Sequence, residues 1–292
     1  MKNVHVSKAF ASHSVPTELQ STMGEANQGA KTPLWSTLKE VFDLLHISSN
    51  FQGISQDLRF QHVHFRTGQH INTIGQNLQW LFAVNSGFLK TAAIDEFGNE
   101  QIIGFPMRGD ILGADSISSL RFPSETVALS ECNLILIPFH KLVTLAHENL
   151  GVQNAIFCIL SRELQNRQAM INMLGKPNAE TRVARFLVYL AERYGELGYS
   201  KSMFNLKMTR QDIGSYLGLS LETISRALSA LNDAGLIRVE QRSIWIMEHA
   251  ILKSMQRIPS AKARQKSSNQ KPFAFANWTP PSIESVGICS TI

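Results

Sequence analysis

The stretch MTRQDIGSYLGLSLETISR, Met208–Arg226, decides how this chain is read. Thr209, followed three residues later by Asp212, has the form of a capping box, in which each residue satisfies a free amide of the other. It opens a helix through Ile213 and Leu217. Gly218-Leu219-Ser220 makes a tight turn, and Ser220 is placed to cap a second helix over Leu221–Asn232. Ile224, Ala227, Leu228 and Leu231 form its inward stripe. On the other face Glu222, Ser225, Arg226 and Ser229 stand at i, i+3, i+4 and i+7, so a carboxylate, a guanidinium and two hydroxyls project together. Two helices joined by a three-residue turn, the second bearing such groups near its N-terminus, have the geometry that enters a DNA major groove. There a guanidinium matches guanine O6 and N7, and a carboxylate accepts from cytosine N4.

C-terminal to this unit, Ala234-Gly235 ends the second helix. Leu236–Val239 and Ser243–Ile246 then flank the polar turn Glu240-Gln241-Arg242, which reads as a small wing. Arg210, Arg238 and Arg242 are placed to meet phosphates, together with the hydroxyls of Thr209, Thr223 and Ser229; such contacts add salt-dependent affinity without sequence information. N-terminal to it, Arg182–Tyr194 is amphipathic, with Val183, Phe186, Leu187 and Leu190 on one side. Gly175-Lys176-Pro177 breaks the pattern, because proline cannot continue a helix. Before that break, Asn149–Leu174 reads as one long helix with two adjacent apolar stripes: Val152, Ile156, Ile159, Met170 and Met173, and Phe157, Leu160, Leu164, Ile171 and Leu174. One can cover another domain and the other a second subunit; the alternative is a helix buried within a monomer. Phe139–Glu148 reads as a shorter helix.

From Leu58 to Pro138 the apolar runs shorten to strand length, as in Trp80–Val84, Phe88–Ala93, Gln101–Phe105, Thr126–Leu129 and Leu134–Ile137. Glycines at 68, 75, 87, 98 and 109 punctuate them, as in an antiparallel roll, with Asn85-Ser86-Gly87 and Phe97-Gly98-Asn99 as hairpin tips. A short helix over Thr37–Leu45, with Leu38, Val41, Phe42 and Leu45 on one face, precedes the roll. The expected organisation is therefore α+β: a flexible tail (1–34), a jelly-roll-like sensory β-roll (35–148), a long helix (149–176), a winged helix-turn-helix (177–252) and a flexible basic tail (253–292).

Composition agrees with this division. The chain has 292 residues, 43% hydrophobic and 17% charged, with a net charge of +5; its length suits about two domains. Lys207–Lys271 holds 11 Lys or Arg against 5 Asp or Glu, so the positive charge sits in the half with the helix-turn-helix. No apolar run reaches the ~20 residues that span a bilayer, and Met1–Phe10 has no stretch of signal-peptide length, so a soluble cytoplasmic protein without membrane contact is expected. Three dispersed cysteines, Cys132, Cys158 and Cys289, make neither a disulfide scaffold nor a zinc finger.

The run Met208–Arg226 closely resembles the helix-turn-helix signature of the CRP/FNR transcription regulators, in particular the FNR-like branch. The likeness extends more loosely over Trp80–Met247, including Gly98-Asn99-Glu100-Gln101 and Gly109-Asp110. It implies a cyclic-nucleotide-binding-like β-roll, a long dimerisation helix and a homodimer bound to two half-sites of a palindrome in double-stranded DNA. In FNR-like members Glu-x-x-Ser-Arg reads a TTGAT-type half-site. On that basis Glu222 and Arg226 would contact its G·C pair, and Ser225 would help select the outer thymine. Leu221 stands where cyclic-AMP-responsive relatives carry arginine. Residues 96–101, with Gly98, Asn99 and Glu100 at the centre, resemble a loop with which relatives touch RNA polymerase, which implies activation.

The signal is harder to read. Iron–sulfur relatives use an N-terminal cysteine cluster and one in the roll; here no cysteine precedes Cys132, and Ile135 aligns with the central ligand, so no cluster, and no other cofactor, is expected. Gly113-Ala114 and Ser124-Glu125 replace the Gly-Glu and Arg-Ser pairs of cyclic-nucleotide binders; a missing arginine and an added carboxylate disfavour an anion. Cys158 and Cys289 are the candidate redox residues. His62 and His64 share a strand face, with His70 nearby, but further metal ligands are not in view, and no metal is expected. A metal-dependent cupin-like enzyme is the competing class, although the next acidic residue after His64 is Asp95; a cyclic-nucleotide-responsive regulator is another. Gly175-Lys176-Pro177 is no phosphate-binding loop, and no nucleophile elbow is present.

Overall fold

The computed structural model describes residues 34–48, 58–176 and 178–255. The two expected tails lie almost wholly outside these, as do Pro177 and Cys289.

Strand β1 (Trp35–Thr37) leads directly into helix α1 (Leu38–Leu44). Thr37 is the N-cap rather than part of the helix: its hydroxyl accepts the Glu40 amide, while the Glu40 carboxylate accepts the Thr37 amide at 2.7 Å. The roll follows as β2 (Arg59–Phe65), β3 (His70–Asn72), β4 (Trp80–Ser86), β5 (Leu89–Ile94), β6 (Glu100–Gly104), β7 (Ile111–Leu112), a 3-10 turn (Ala114–Ser116), β8 (Glu125–Ala128) and β9 (Cys132–Pro138). Two antiparallel sheets form, ordered β1-β2-β9-β4-β7 and β3-β8-β5-β6. Phe65, Leu81, Phe82, Leu89, Leu134 and Ile135 close the core between them, each contributing roughly 1.5–3 kcal/mol by leaving water.

One expected hairpin is absent. β4 pairs with β9 and β7, whereas β5 pairs with β6 and β8, so Asn85-Ser86-Gly87 carries the chain from one sheet to the other. A bulge between Val84 and Ser86 turns the strand there; adjacency in sequence mimics a hairpin, and only pairing tells the two apart. Phe97-Gly98-Asn99 is a true tip, between β5 and β6.

Helices α2 (Phe139–Glu148) and α3 (Leu150–Leu174) follow, with Asn149 capping α3 through the Val152 amide. The two stripes of α3 divide differently from expectation. Val152 and Ile159 are buried against the roll together with Ala155, and Ile156 and Leu160 pack on the same core, so Leu160 joins the roll-facing side. Leu150, Phe157, Leu164 and Ile171, seven residues apart, are exposed. Helix α4 (Ala179–Glu196) starts earlier than its apolar pattern suggested. It leads to β10 (Met203–Asn205), α5 (Arg210–Leu217), α6 (Leu221–Asp233), β11 (Ile237–Glu240), β12 (Ser243–Ile246) and α7 (His249–Ser254). β10 adds a third strand to the wing, in the order β10-β12-β11; at three residues it is too short to show period-2 alternation. Among the described residues no helix is long and apolar enough to cross a membrane.

Candidate nucleic-acid interface

Both caps form as their side chains require. The Thr209 hydroxyl accepts the Asp212 amide at 3.0 Å, and Asp212 Oδ2 accepts the Thr209 amide at 2.8 Å. Asp212 Oδ1 also accepts Lys90 Nζ from the roll at 3.1 Å. Burial alone would raise the Asp212 carboxyl, but the bonds from Thr209 and Lys90 outweigh it and hold the group below the usual carboxylate range. Gly218 ends α5 in the left-handed region (φ 62°), where glycine meets no steric penalty. Gly214 has a different role: a Cβ there would lie 2.6 Å from the Leu219 carbonyl oxygen, so the turn closes on bare backbone. Ser220 caps α6, accepting the Thr223 amide at 3.2 Å.

Ile224, Ala227, Leu228 and Leu231 are all buried, which fixes the rotation of α6 and leaves Glu222, Arg226 and Ser229 exposed. The Glu222 carboxyl is held below its ordinary value by hydrogen bonds from its own amide and Ser220, with Arg226 as a nearby positive charge. Glu222 is therefore an ionised acceptor one turn from a guanidinium. Ser225 is half-buried and committed internally: Oγ donates to the Leu221 carbonyl at 3.0 Å and accepts Arg210 Nη1 at 3.4 Å. Thr209 and Thr223 likewise spend their hydroxyls on the two caps. Arg210 and Arg242 are exposed. Arg238 pairs with Glu240 and lies 5.4 Å over the Trp245 ring, which stiffens the wing beside Gln241, a non-glycine residue at φ 53°.

The β5–β6 tip is rigid. Asp95 accepts the Phe97 and Asn99 amides at 2.9 and 2.8 Å, and Asn99 Nδ2 at 3.0 Å. Gly98 and Asn99 lie in the tip, whereas Glu100 starts β6 and accepts Lys90 Nζ at 3.1 Å. Phe97 is 81% exposed, the most exposed large apolar side chain among the described residues; it lies within the resembling loop but was not among the three central residues.

Sequence reasoning missed how the roll meets α5. β6 is the edge strand of its sheet, and Ser215 takes the place of a further strand. Its Oγ accepts the Ile102 amide at 2.9 Å and donates to the Glu100 carbonyl at 3.3 Å, while the Gln101 amide donates to the Ser215 carbonyl. Arg193 of α4 donates to both Asp110 oxygens at 2.8 Å, and Phe105, Phe186 and Tyr216 stack between roll and helices. No periodicity within α5 could signal these partners, because they lie more than a hundred residues away.

The other candidates are dispersed. His62 bridges Ser36 (2.8 Å) and Asn133 (2.6 Å), whereas His64 meets Glu131 and His70 meets Glu125. Among the described residues no three His, Cys, Asp or Glu could hold a metal ion. Cys132 is buried in the roll, and burial pushes its thiol up; Cys158 is exposed on α3.

Two family models match the chain: a cyclic nucleotide-binding domain over residues 62–149 and a Crp-like helix-turn-helix domain over residues 181–255. The electron transport regulator A of Shewanella oneidensis is 42% identical over 182 residues, covering 62% of this chain and 73% of that protein. The fumarate and nitrate reduction regulatory protein of Yersinia pestis is 40% identical over 185 residues, covering 63% and 74%. Among solved structures, FixK2 from Bradyrhizobium japonicum superposes with a TM-score of 0.61 at 27% identity, over 67% of this chain and 96% of that one. A CRP/FNR-family regulator from Thermus thermophilus shares the fold, with a TM-score of 0.53 at 20% identity over 67% of this chain and all of that one (100%). With its roll, long helix and capped helix-turn-helix, the chain belongs to the CRP/FNR family of transcription regulators, DNA-binding proteins rather than enzymes.

Proposed function

We propose that this protein is an FNR-type regulator that binds a palindromic, TTGAT-like site as a homodimer in the cytoplasm, and activates transcription through RNA polymerase. Two copies pair through the exposed α3 face of Leu150, Phe157, Leu164 and Ile171, whose seven-residue spacing suits a helix–helix seam. Each copy lays α6 in a major groove, where Arg226 takes guanine O6 and N7 and Glu222 accepts from cytosine N4. Ser225 supplies its methylene and partly occupied hydroxyl to the outer thymine. Arg210, Thr223, Ser229 and Arg242 meet phosphates through charge and backbone proximity, as does the helix start at Thr209. The tip at Gly98, Asn99 and Glu100 faces polymerase.

The observation that carries this reading is the rotation of α6: four buried apolar residues leave an ionised Glu222 and the Arg226 guanidinium outward together. Selection of bound fragments from random duplexes, repeated with Arg226→Ala, tests it. The native protein should enrich paired TTGAT-like half-sites and the variant should lose the preference at the G·C pair; identical preferences would contradict the assignment.

A further inference from the structure

The roll contains a cavity of about 110 Å³ between the four-stranded sheet, the 3-10 turn and α3. Pockets for drug-sized ligands start at about 300 Å³, and about 150 Å³ holds a benzene molecule. A nucleotide is therefore too large, whereas a molecule of about five or six non-hydrogen atoms fits.

The polar groups around it are unbalanced. Asn72, 2% exposed, lines the cavity; its Nδ2 donates to the Ser124 carbonyl at 2.7 Å, and its Oδ1 is buried with no partner among the described residues. An unmet acceptor at this depth calls for a donor. The guanidiniums that could have supplied one are already engaged. Arg167 spans Glu163 (3.1 Å) and Asp115 (3.2 Å), and Arg193 holds Asp110 at 2.8 Å. Three lining carboxylates thus face two lining guanidiniums, which leaves one formal negative charge. Burial pushes the Glu163 carboxyl up, and Arg167 offsets this only in part, so a further positive charge beside it is favourable. The lining groups do not make a metal site, since no cluster of three suitable ligands exists among the described residues.

We propose that the roll binds a small organic monocation, an alkylammonium or guanidinium, with its N–H groups on Asn72 Oδ1 and the Glu163 carboxylate. The polarity is opposite to that needed by a nucleotide phosphate. The walls also include Tyr189 and Arg193 of α4 and Tyr216 of α5, so occupancy reaches the helices that carry the DNA-reading unit. Binding itself does not depend on the DNA-binding reading; only its regulatory meaning rests on it.

Calorimetric titration of the full chain with butylammonium chloride and with guanidinium chloride, up to about 10 mM, tests this, with butyrate, 1-butanol and cyclic AMP as controls. At least one of the two cations should bind and the controls should not. Asn72→Leu and Glu163→Gln should each weaken binding by about tenfold or more. Glu163→Gln lies on α3 outside the roll core, so it serves if the leucine variant melts early. The proposal is overturned if neither cation binds, if a control binds as tightly, if Glu163→Gln binds like the native chain, or if crystals grown with the cation hold only water at Asn72. Any of these results beside intact duplex recognition removes the ligand and leaves the DNA-binding reading standing.

Discussion

Arg226→Ala separates recognition from folding. Its guanidinium is exposed on α6, and the buried stripe of Ile224, Ala227, Leu228 and Leu231 is untouched. Surface changes of this kind alter stability by less than about 0.5 kcal/mol. A bidentate guanine contact carries about 1–3 kcal/mol of discrimination. A dimer on a palindrome makes the contact twice, so the loss is roughly 2–6 kcal/mol, or about 30-fold to well over a thousandfold in Kd. Fluorescence anisotropy on a labelled TTGAT palindrome, and on one with both G·C pairs replaced, reads this directly. The native protein should separate the two duplexes by that factor, while the variant should bind both alike, with the melting curve unchanged. A variant that weakens on both duplexes equally and keeps the native ratio would refute the base contact, and a lowered melting point would show that Arg226 supports the fold instead.

Gly214→Ala should cost roughly 1–3 kcal/mol in urea unfolding, because its methyl would meet the Leu219 carbonyl oxygen at 2.6 Å and the turn must shift. Phe157→Asp on the exposed face of α3 should halve the mass seen by sedimentation and weaken palindrome binding while leaving helix content by circular dichroism intact. Lys90→Met should uncouple roll from α5, with a sign set by pH. The Asp212 carboxyl is held low, so its contribution is present above the ordinary carboxylate value and fades as pH falls through the lower folded value. For Lys90, burial lowers the ammonium, but Asp212 and Glu100 raise it beyond this, so its contribution is full below the ordinary lysine value and fades as pH rises through the higher folded one. The difference in urea midpoint between native and variant should therefore be largest near neutrality and shrink below about pH 4. Arg242→Ala in the wing should weaken all duplexes alike and reduce the slope of log K against log salt by about one.

The helix-turn-helix was legible to the residue because its determinants are local. A capping threonine three positions from its aspartate, a glycine in the left-handed region and an apolar stripe at helical spacing interact within a few residues of one another. The roll was legible in its strand runs but not in its pairing. Asn85-Ser86-Gly87 looks like Phe97-Gly98-Asn99 in composition, yet one crosses between sheets and the other closes a hairpin. The recognition face was legible in position but not in availability: Ser225 stands at the spacing of an outward residue, but Arg210, fifteen positions earlier, reaches its hydroxyl.

By itself the sequence determined the two caps, the length and apolar seam of α3 and the rotation of α6, since each follows from side chains repeating at the period of their own helix. Tertiary structure decided that Lys90 meets Asp212, that Ser215 closes the edge of β6, and that Asn72 turns an unmet oxygen into the roll. Those outcomes depend on which distant strands and helices come to lie side by side. Pairing of that kind is set by packing across the whole molecule, and no local pattern encodes it.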